Sequence, residues 1–487
     1  MKKINKALSL LLISSLALSA TACGSSESKA SGKESGEKSN GETITLRILE
    51  NDTAKAEGYL DELLNAFNEA YKDKGIQAVD ANMDEYSNLA ENGPYGYGPD
   101  VLYQANDKLM TYAEDKHILA INKDDFECSK YIPDEAWDAF SISVDGKQYT
   151  CAVPVNVQEP MLFYRKDKLP ENWESEWDKD GDKTPDFFQN WSSLYQYSQQ
   201  LVSESDGKKY GLVAACRDLY MMAEFDFSYG GYVFGKDADG IVNSEDVGFG
   251  KGDAAKGMLG LRQFAGIMSE ECIDDSISQN RYSKVADGTY FCSISTPDTY
   301  VLFHDRLADV YKAEGMSESE ASDKATENLG MIELPGKMPA DGDLSKDGAT
   351  VETVVMGGVN GYGISAYTEH REACIEFVNF ATGREMIKKR AEILGIAPTR
   401  SDVAEEIGGI TSMIFDSLNA GHISLMPSVK AVDQIWDPMG TLLSDVAKDA
   451  FRENKGEAVK YADEASMQEA LDKASKSIYD AIYTLSK

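Results

Sequence analysis

From Thr43 the chain reads TITLRIL, with Ile44, Leu46 and Ile48 alternating against Thr45 and Arg47. Alternation with period two marks a half-buried strand. The next stretch, EGYLDELLNAFNEAYKDKG, changes period. Leu60, Leu63, Leu64, Phe67 and Tyr71 recur at helical spacing, and Gly75 follows as a C-cap. IQAV and DVLYQ read as the second and third strands, the latter leading into a helix over Asp107 to Asp115. Strand, helix, strand, helix at this spacing predicts βαβ units, a parallel sheet and an α/β fold class. Farther on, GKQYTCAVPVNVQEPMLFYRKDKLP carries two short strands separated by Pro154, with Asn156 to Glu159 between them. HREACIEFVNFATG is an amphipathic helix ending at Gly383, and from about Ser412 the pattern is nearly all helical.

The 487 residues are too many for one core and suit two domains. The N-terminus stands apart from both. MKKINK is a basic leader, and ALSLLLISSLALSA is an apolar stretch too short and too rich in Ser to span a membrane. It ends in SATAC, which resembles a bacterial lipoprotein signal over residues 1–22. That resemblance implies that Cys23 is lipidated and anchors the mature chain. Ala20 stands where the pattern prefers Leu. Residues 23–41 hold no large apolar side chain and predict a flexible tether.

Charge and missing motifs narrow the function. A net charge of −35 argues against nucleic acid and against anionic membrane surfaces as partners. HExxH, GxSxG, GxxxxGK[ST] and a post-strand GxGxxG are all absent. A facing pair of carboxylates, as in a glycosidase, stays open. Cys128, Cys151, Cys216, Cys272, Cys292 and Cys374 show no CxxC spacing; buried free thiols are the default reading, with pairing left open.

Two local patterns point to chemistry. The third strand ends in Gln104-Ala105-Asn106-Asp107, polar groups that serve either as a helix cap or as ligand contacts at the carboxyl end of a sheet. The residues alone leave both readings open for Asn106 and Asp107. Asn51 ends the first strand in the same way, as a turn residue or a ligand contact. Separately, DKDGDKTPD places Asp178, Asp180, Asp182 and Asp186 at positions 1, 3, 5 and 9 of a calcium-type loop. Lys183 and Gln189 depart from that pattern, so a solvated acidic loop competes with a calcium site.

The order of segments resembles the extracellular solute-binding proteins (family 1) of ABC importers, in particular the maltose/maltodextrin-binding branch. The residues that carry it are TLRILEND, GPDVLYQANDKLMTYAEDKHILAIN, GKQYTCAVPVNVQEPMLFYRKDKLP, FSYGGYVFGKD, GYGISAYTEHREACIEFVNFAT with GIAPTRSDV, and AGHISLMPSVKAVDQIWDPM. They span nearly the whole mature chain. The resemblance implies a two-lobed periplasmic-binding-protein-like fold (type II). Three interlobe crossings would fall near Val155 to Gln158, Met356 to Asn360 and Pro398. Lobe one would be 42–155 plus 361–397, and lobe two 159–356 plus 398–487.

The same resemblance implies the partners and the site. A monomeric, lipid-anchored, non-enzymatic receptor on the outer face of the cytoplasmic membrane would bind a carbohydrate and deliver it to ABC permease subunits. Ligand contacts would come from Asn51, Tyr103, Asp107 (leaving Asn106 as the helix cap), Gln158 or Glu159, and the sugar-stacking Tyr220 and Trp436. The best-known member of this branch carries aromatic residues where this chain has Gln104 and Asp298, which argues against copying maltose specificity. A cell-surface carbohydrate-active enzyme and a receptor for a non-sugar solute are the alternatives.

Overall fold

The computed structural model describes residues 43–144, 147–179, 181, 183–237, 242–274 and 276–485. The signal, Cys23 and the tether lie outside the described residues, as do Asp180 and Asp182. Two sheets organise the rest. Their strands, in chain order, are β1 (Ile44–Leu49), β2 (Ile76–Asp80), β3 (Val101–Ala105), β4 (Ala152–Gln158), β5 (Met161–Arg165), β6 (Tyr210–Val213), β7 (Tyr290–Ser295), β8 (Leu329–Glu333), β9 (Val355–Ile364), β10 (Ala397–Pro398) and β11 (Ile423–Leu425).

The first sheet runs β10-β4-β9-β3-β1-β2, with β11 paired to β9. β1 is parallel to β2 and to β3, as the alternation predicts. The second sheet runs β8-β5-β7-β6. In it β6 and β7 are parallel, and β5 is antiparallel to β7 and β8.

Helices follow the apolar periodicity. α1 (Asp52–Ala56) is a short turn, and α2 (Tyr59–Tyr71) buries Leu60, Leu63, Leu64 and Phe67 over the first sheet. α3 (Asn106–Glu114) leaves β3 directly. α4 (Ser401–Ile407) and α5 (Trp436–Asn454) belong to the C-terminal part. All six cysteines from Cys128 to Cys374 are buried and unpaired, as free core thiols.

Two separate hydrophobic cores give two lobes. One gathers residues from Leu46 to Val155 with Val359 to Val403; the other gathers Val157 to Met356 with Ala397 and Ile414 to Ile478. The change of core occurs within single strands. On β4, Val155 enters the first core and Val157 the second; on β9, Met356 enters the second and Val359 the first. These strands are side by side, with Asn156 paired to both Asn360 and Pro398. The C-terminal boundary differs from the expected 398. α4 stays with the first core through Val403, and Arg400 binds Glu127 at 3.1 Å while the Ser401 hydroxyl donates to the Tyr131 carbonyl at 2.8 Å. The chain turns away only after Gly408 and Gly409, whose positive φ values suit glycine.

Candidate functional site

Strand direction decides what faces the seam between the lobes. β1, β2 and β3 end on one edge, so Glu50 and Asn51, Glu85 and Tyr86, and Asn106 and Asp107 gather there. In the second sheet the carboxyl ends of β6, β7 and β8 share an edge with the start of the antiparallel β5. That edge brings together Asp218 and Tyr220, Asp298, Glu333 and Glu159. Ligands of α/β sheets occupy such carboxyl ends.

Several bonds close the floor between these edges. The Tyr220 hydroxyl donates to the Gln158 carbonyl at 2.9 Å, and Asn106 Nδ2 donates to the Met426 carbonyl at 3.1 Å. Gly358 lies among them. A Cβ there would stand 3.2 Å from Met426 Cε, 3.6 Å from the Tyr220 hydroxyl and 3.7 Å from Asn106 Oδ1. The absent side chain therefore leaves space where the three meet.

The assignment of Asn106 as the helix cap is overturned. α3 begins at Asn106 itself, and its N-cap is Ala105, which has no capping side chain. Asn106 is fully buried. Its amide is consumed by the Met426 carbonyl and by the N–H of Val359, 3.4 Å from Oδ1. A buried amide needs partners, and backbone of β9 and of the residue after β11 supplies them. Asp107 instead stands in the first turn of α3, half-buried.

The electrostatics of the site are those of crowded acids. Burial raises the pKa of Asp107, and the charge of Asp433 adds to it. Burial likewise raises Asp298, one of whose oxygens is buried without a partner among the described residues. Glu159 is 3% exposed, and burial, then Glu333, pushes it well above the usual carboxyl range. Glu333 itself accepts from the Ser417 hydroxyl at 2.6 Å. The Tyr220 phenol is raised by burial and then by Glu159, Asp298, Asp218 and Asp107. The facing strand ends thus carry several acids whose charges reach one phenol, a setting for a ligand that brings hydroxyl donors.

The other expected residues have varied surroundings. Asn51 caps α1, its Oδ1 accepting from the Ala54 N–H at 3.0 Å. Tyr103 turns away from the seam and is 3% exposed. Its hydroxyl donates to Asn156 and accepts from Asn360 at 3.1 Å, and its ring lies 4.0 Å from the Arg390 guanidinium. Side-chain alternation explains this: Tyr103 pairs with Tyr362 on β9 and joins the first core. Gln158 ends β4 and contributes its carbonyl to the seam.

Trp436 opens α5, half-buried against the second core. The segment before it rests on α3 of the other lobe. The Lys430 N–H donates to Glu114 at 2.9 Å, the Lys430 ammonium meets Asp115 at 2.6 Å, and the Thr111 hydroxyl donates to Asp433 at 3.3 Å. In the acidic loop, Asp178 accepts from the Lys183 N–H at 3.2 Å and Asp186 from the Lys179 N–H at 3.3 Å. Lys183, in place of glycine, adopts φ 63°. Among the described residues no three His, Cys, Asp or Glu side chains are placed to hold a metal ion.

Asp298, Glu333 and Tyr86 were absent from the expected set. Each follows or ends a strand on the facing edges, so the rule that selected Asp107 would have reached them once strand direction was known.

Comparisons with known proteins bear on the fold and the family. The family model described as bacterial extracellular solute-binding protein matches residues 62–412. A galactooligosaccharide-binding protein of Bacillus subtilis (strain 168) is 25% identical over 458 residues, covering 92% of this chain and 93% of its own. Among solved structures, MalX from Streptococcus pneumoniae in complex with maltopentaose superposes with a TM-score of 0.66 at 16% identity, covering 90% of this chain and 100% of its own. The maltose-binding protein MalE from Listeria monocytogenes, in complex with maltose, gives 0.63 at 16% identity, covering 91% and 98%. The two structures share the two-lobed fold. With the family model spanning most of the chain, this protein belongs to the bacterial extracellular solute-binding proteins.

Proposed function

We propose that this protein captures an oligosaccharide between its lobes and delivers it to an ABC permease, performing no chemistry on it. The observation that carries the reading is the placement of Asp107 at one set of strand ends and of Asp298, Glu159 and Tyr220 at the facing set. Carboxyl oxygens accept hydrogen bonds from sugar hydroxyls. Their C–H faces pack on aromatic rings, which Tyr220 and Trp436 offer. The relative named as a galactooligosaccharide-binding protein supports the same ligand class. A ligand touching both lobes binds the closed form better than the open one, and that difference drives closure.

On this reading Cys23 carries the lipid that anchors a monomeric receptor to the outer face of the cytoplasmic membrane. The tether of residues 23–41 gives it reach to permease subunits. Asp107, Tyr220, Trp436 and Glu159 or Gln158 hold the sugar. A thermal-shift screen over galacto-, malto- and xylo-oligosaccharides tests it. A ligand at 100 times its Kd adds about 2.7 kcal/mol of stability, a readily visible shift. No shift with any sugar, or release of shorter products on incubation, overturns the reading.

A further inference from the structure

Two of the six core thiols stand next to each other. Just beyond the end of β6, the Cys216 N–H donates to the Cys272 carbonyl at 2.9 Å. A backbone bond of this kind sets the two Cα atoms about 5–6 Å apart. That lies inside the span of about 4.4–6.8 Å that a disulfide bridges. The Cys216 side chain points toward the turn that carries Cys272. Its Sγ lies 4.0 Å from Met268 Sδ, and the Cys272 N–H closes that turn on the Ser269 carbonyl at 3.0 Å. The Cys272 thiol is pushed well above its ordinary range, first by hydrogen bonding with the Cys216 thiol and then by burial.

The other four thiols have different neighbours. Cys128 Sγ donates to the Thr382 hydroxyl at 3.5 Å, and Cys151 Sγ lies 3.3 Å from Met110 Sδ. Cys374 Sγ lies 3.5 Å from the Thr368 hydroxyl, and Cys292 pairs on its strand with Tyr164 and Leu212.

Both segments that carry the pair are anchored elsewhere. The turn Glu270–Ile273 rests on α5, where the Ser444 hydroxyl donates to the Ile273 carbonyl at 3.0 Å and Lys455 meets Glu270 at 2.5 Å. Cys216 stands just ahead of Tyr220, whose N–H is accepted by Asp218 at 3.0 Å. Cys216 and Cys272 are both 0% exposed, so no oxidant reaches them once the lobe has packed. A bond between them has to form during folding. The family is extracellular, and disulfides persist outside the reducing cytoplasm.

We propose that Cys216 and Cys272 close into a disulfide as the chain folds outside the cytoplasm, by exchange with an external disulfide. One cysteine, as its thiolate, attacks the external disulfide and forms a mixed disulfide, releasing one external thiolate. The second then attacks the sulfur of the first and expels the other external thiolate. The two protons lost by the cysteines end on the released thiols. The external disulfide is reduced to two thiols while the two cysteines are oxidised to one S–S bond. That bond staples the segment leading to Tyr220 to the turn braced by α5. It stabilises the second lobe chiefly by constraining the unfolded chain between them.

The full chain, refolded from guanidinium in oxidised and reduced glutathione, alkylated and digested without reduction, supplies the test. Peptide mapping should find Cys216 joined to Cys272, with Cys128, Cys151, Cys292 and Cys374 alkylated. Protein refolded this way should melt about 5–10 °C above protein refolded in excess reductant. Cys216→Ala should melt at one temperature under both conditions. The peptide map needs no substitution, so it decides even if that variant fails to fold. Alkylated Cys216 and Cys272 in the glutathione-refolded protein overturn the proposal, as does a cross-link between any other cysteines. A melting temperature unchanged or lowered by the bond overturns its stabilising role.

Discussion

Glu50 and Arg390 form a fully buried ion pair in the first lobe, and Arg390→Leu should show what burying it entails. Glu50 is 0% exposed and Arg390 1%. The guanidinium holds both carboxylate oxygens, at 2.8 and 3.1 Å, and the Tyr362 hydroxyl at 3.1 Å. Its plane also lies 4.8 Å from the Tyr59 ring as well as close to Tyr103. Removing one partner strands a charge in a medium that cannot solvate it, which costs about 3–5 kcal/mol. At roughly 2–4 °C per kcal/mol for a lobe of this size, the melting temperature should fall by about 6–20 °C. The double variant Glu50→Leu, Arg390→Leu removes both charges and should recover to within about 1–2 kcal/mol of the unsubstituted protein. Guanidinium denaturation followed by circular dichroism, arranged as a double-mutant cycle, reads the coupling directly. A cost under about 1 kcal/mol for Arg390→Leu, or a double variant as unstable as the sum of the singles, refutes the reasoning.

Other expectations follow from single groups. Burial raises Asp226 from 3.8 to about 7 in the folded protein. The folded state then holds its proton more tightly, so stability falls as pH rises from near 4 to near 7 and is constant above. Asp226→Asn should gain on the unsubstituted protein by up to about 4 kcal/mol between pH 4 and pH 8; parallel stability curves across that range would falsify the assignment. Asp107→Asn exchanges a charged acceptor for a neutral one and should weaken saccharide binding about tenfold, by calorimetry. Tyr103→Phe leaves Asn156 and Asn360 short of a buried partner and should cost about 1–3 kcal/mol on denaturation, with less effect on affinity than Asp107→Asn. An affinity loss larger than that of Asp107→Asn would instead place Tyr103 in contact with the ligand.

Much of the fold was legible in the chain. The alternation of Ile44, Leu46 and Ile48, the helical spacing from Leu60 to Phe67, and the strand ending before Asp107 each report a local period. A period of two or 3.6 is set by backbone geometry within a few residues, so the reader needs no distant contact to see it. The order of these elements and their family resemblance carried the two-lobed fold. Asp107 at a strand end was reached by the same local rule.

What the chain could not show on its own is every choice made by a partner far away in sequence. Asn106 looks like a cap until Met426, 320 residues on, claims its amide. Tyr103 is as exposed on paper as Gln104 until β9 covers it. Val403 and Arg400 extend the first lobe past Pro398 because Glu127 and Tyr131 wait there. Glu50 and Arg390 lie 340 residues apart. In each case the local pattern allowed two environments of similar energy, and the burial of a polar group, which demands a partner, selected one. The amino-acid order alone determined strands, helices and the acid at the strand end; the tertiary structure decided which of their side chains face the seam, because only the packed chain brings the competing partners within reach.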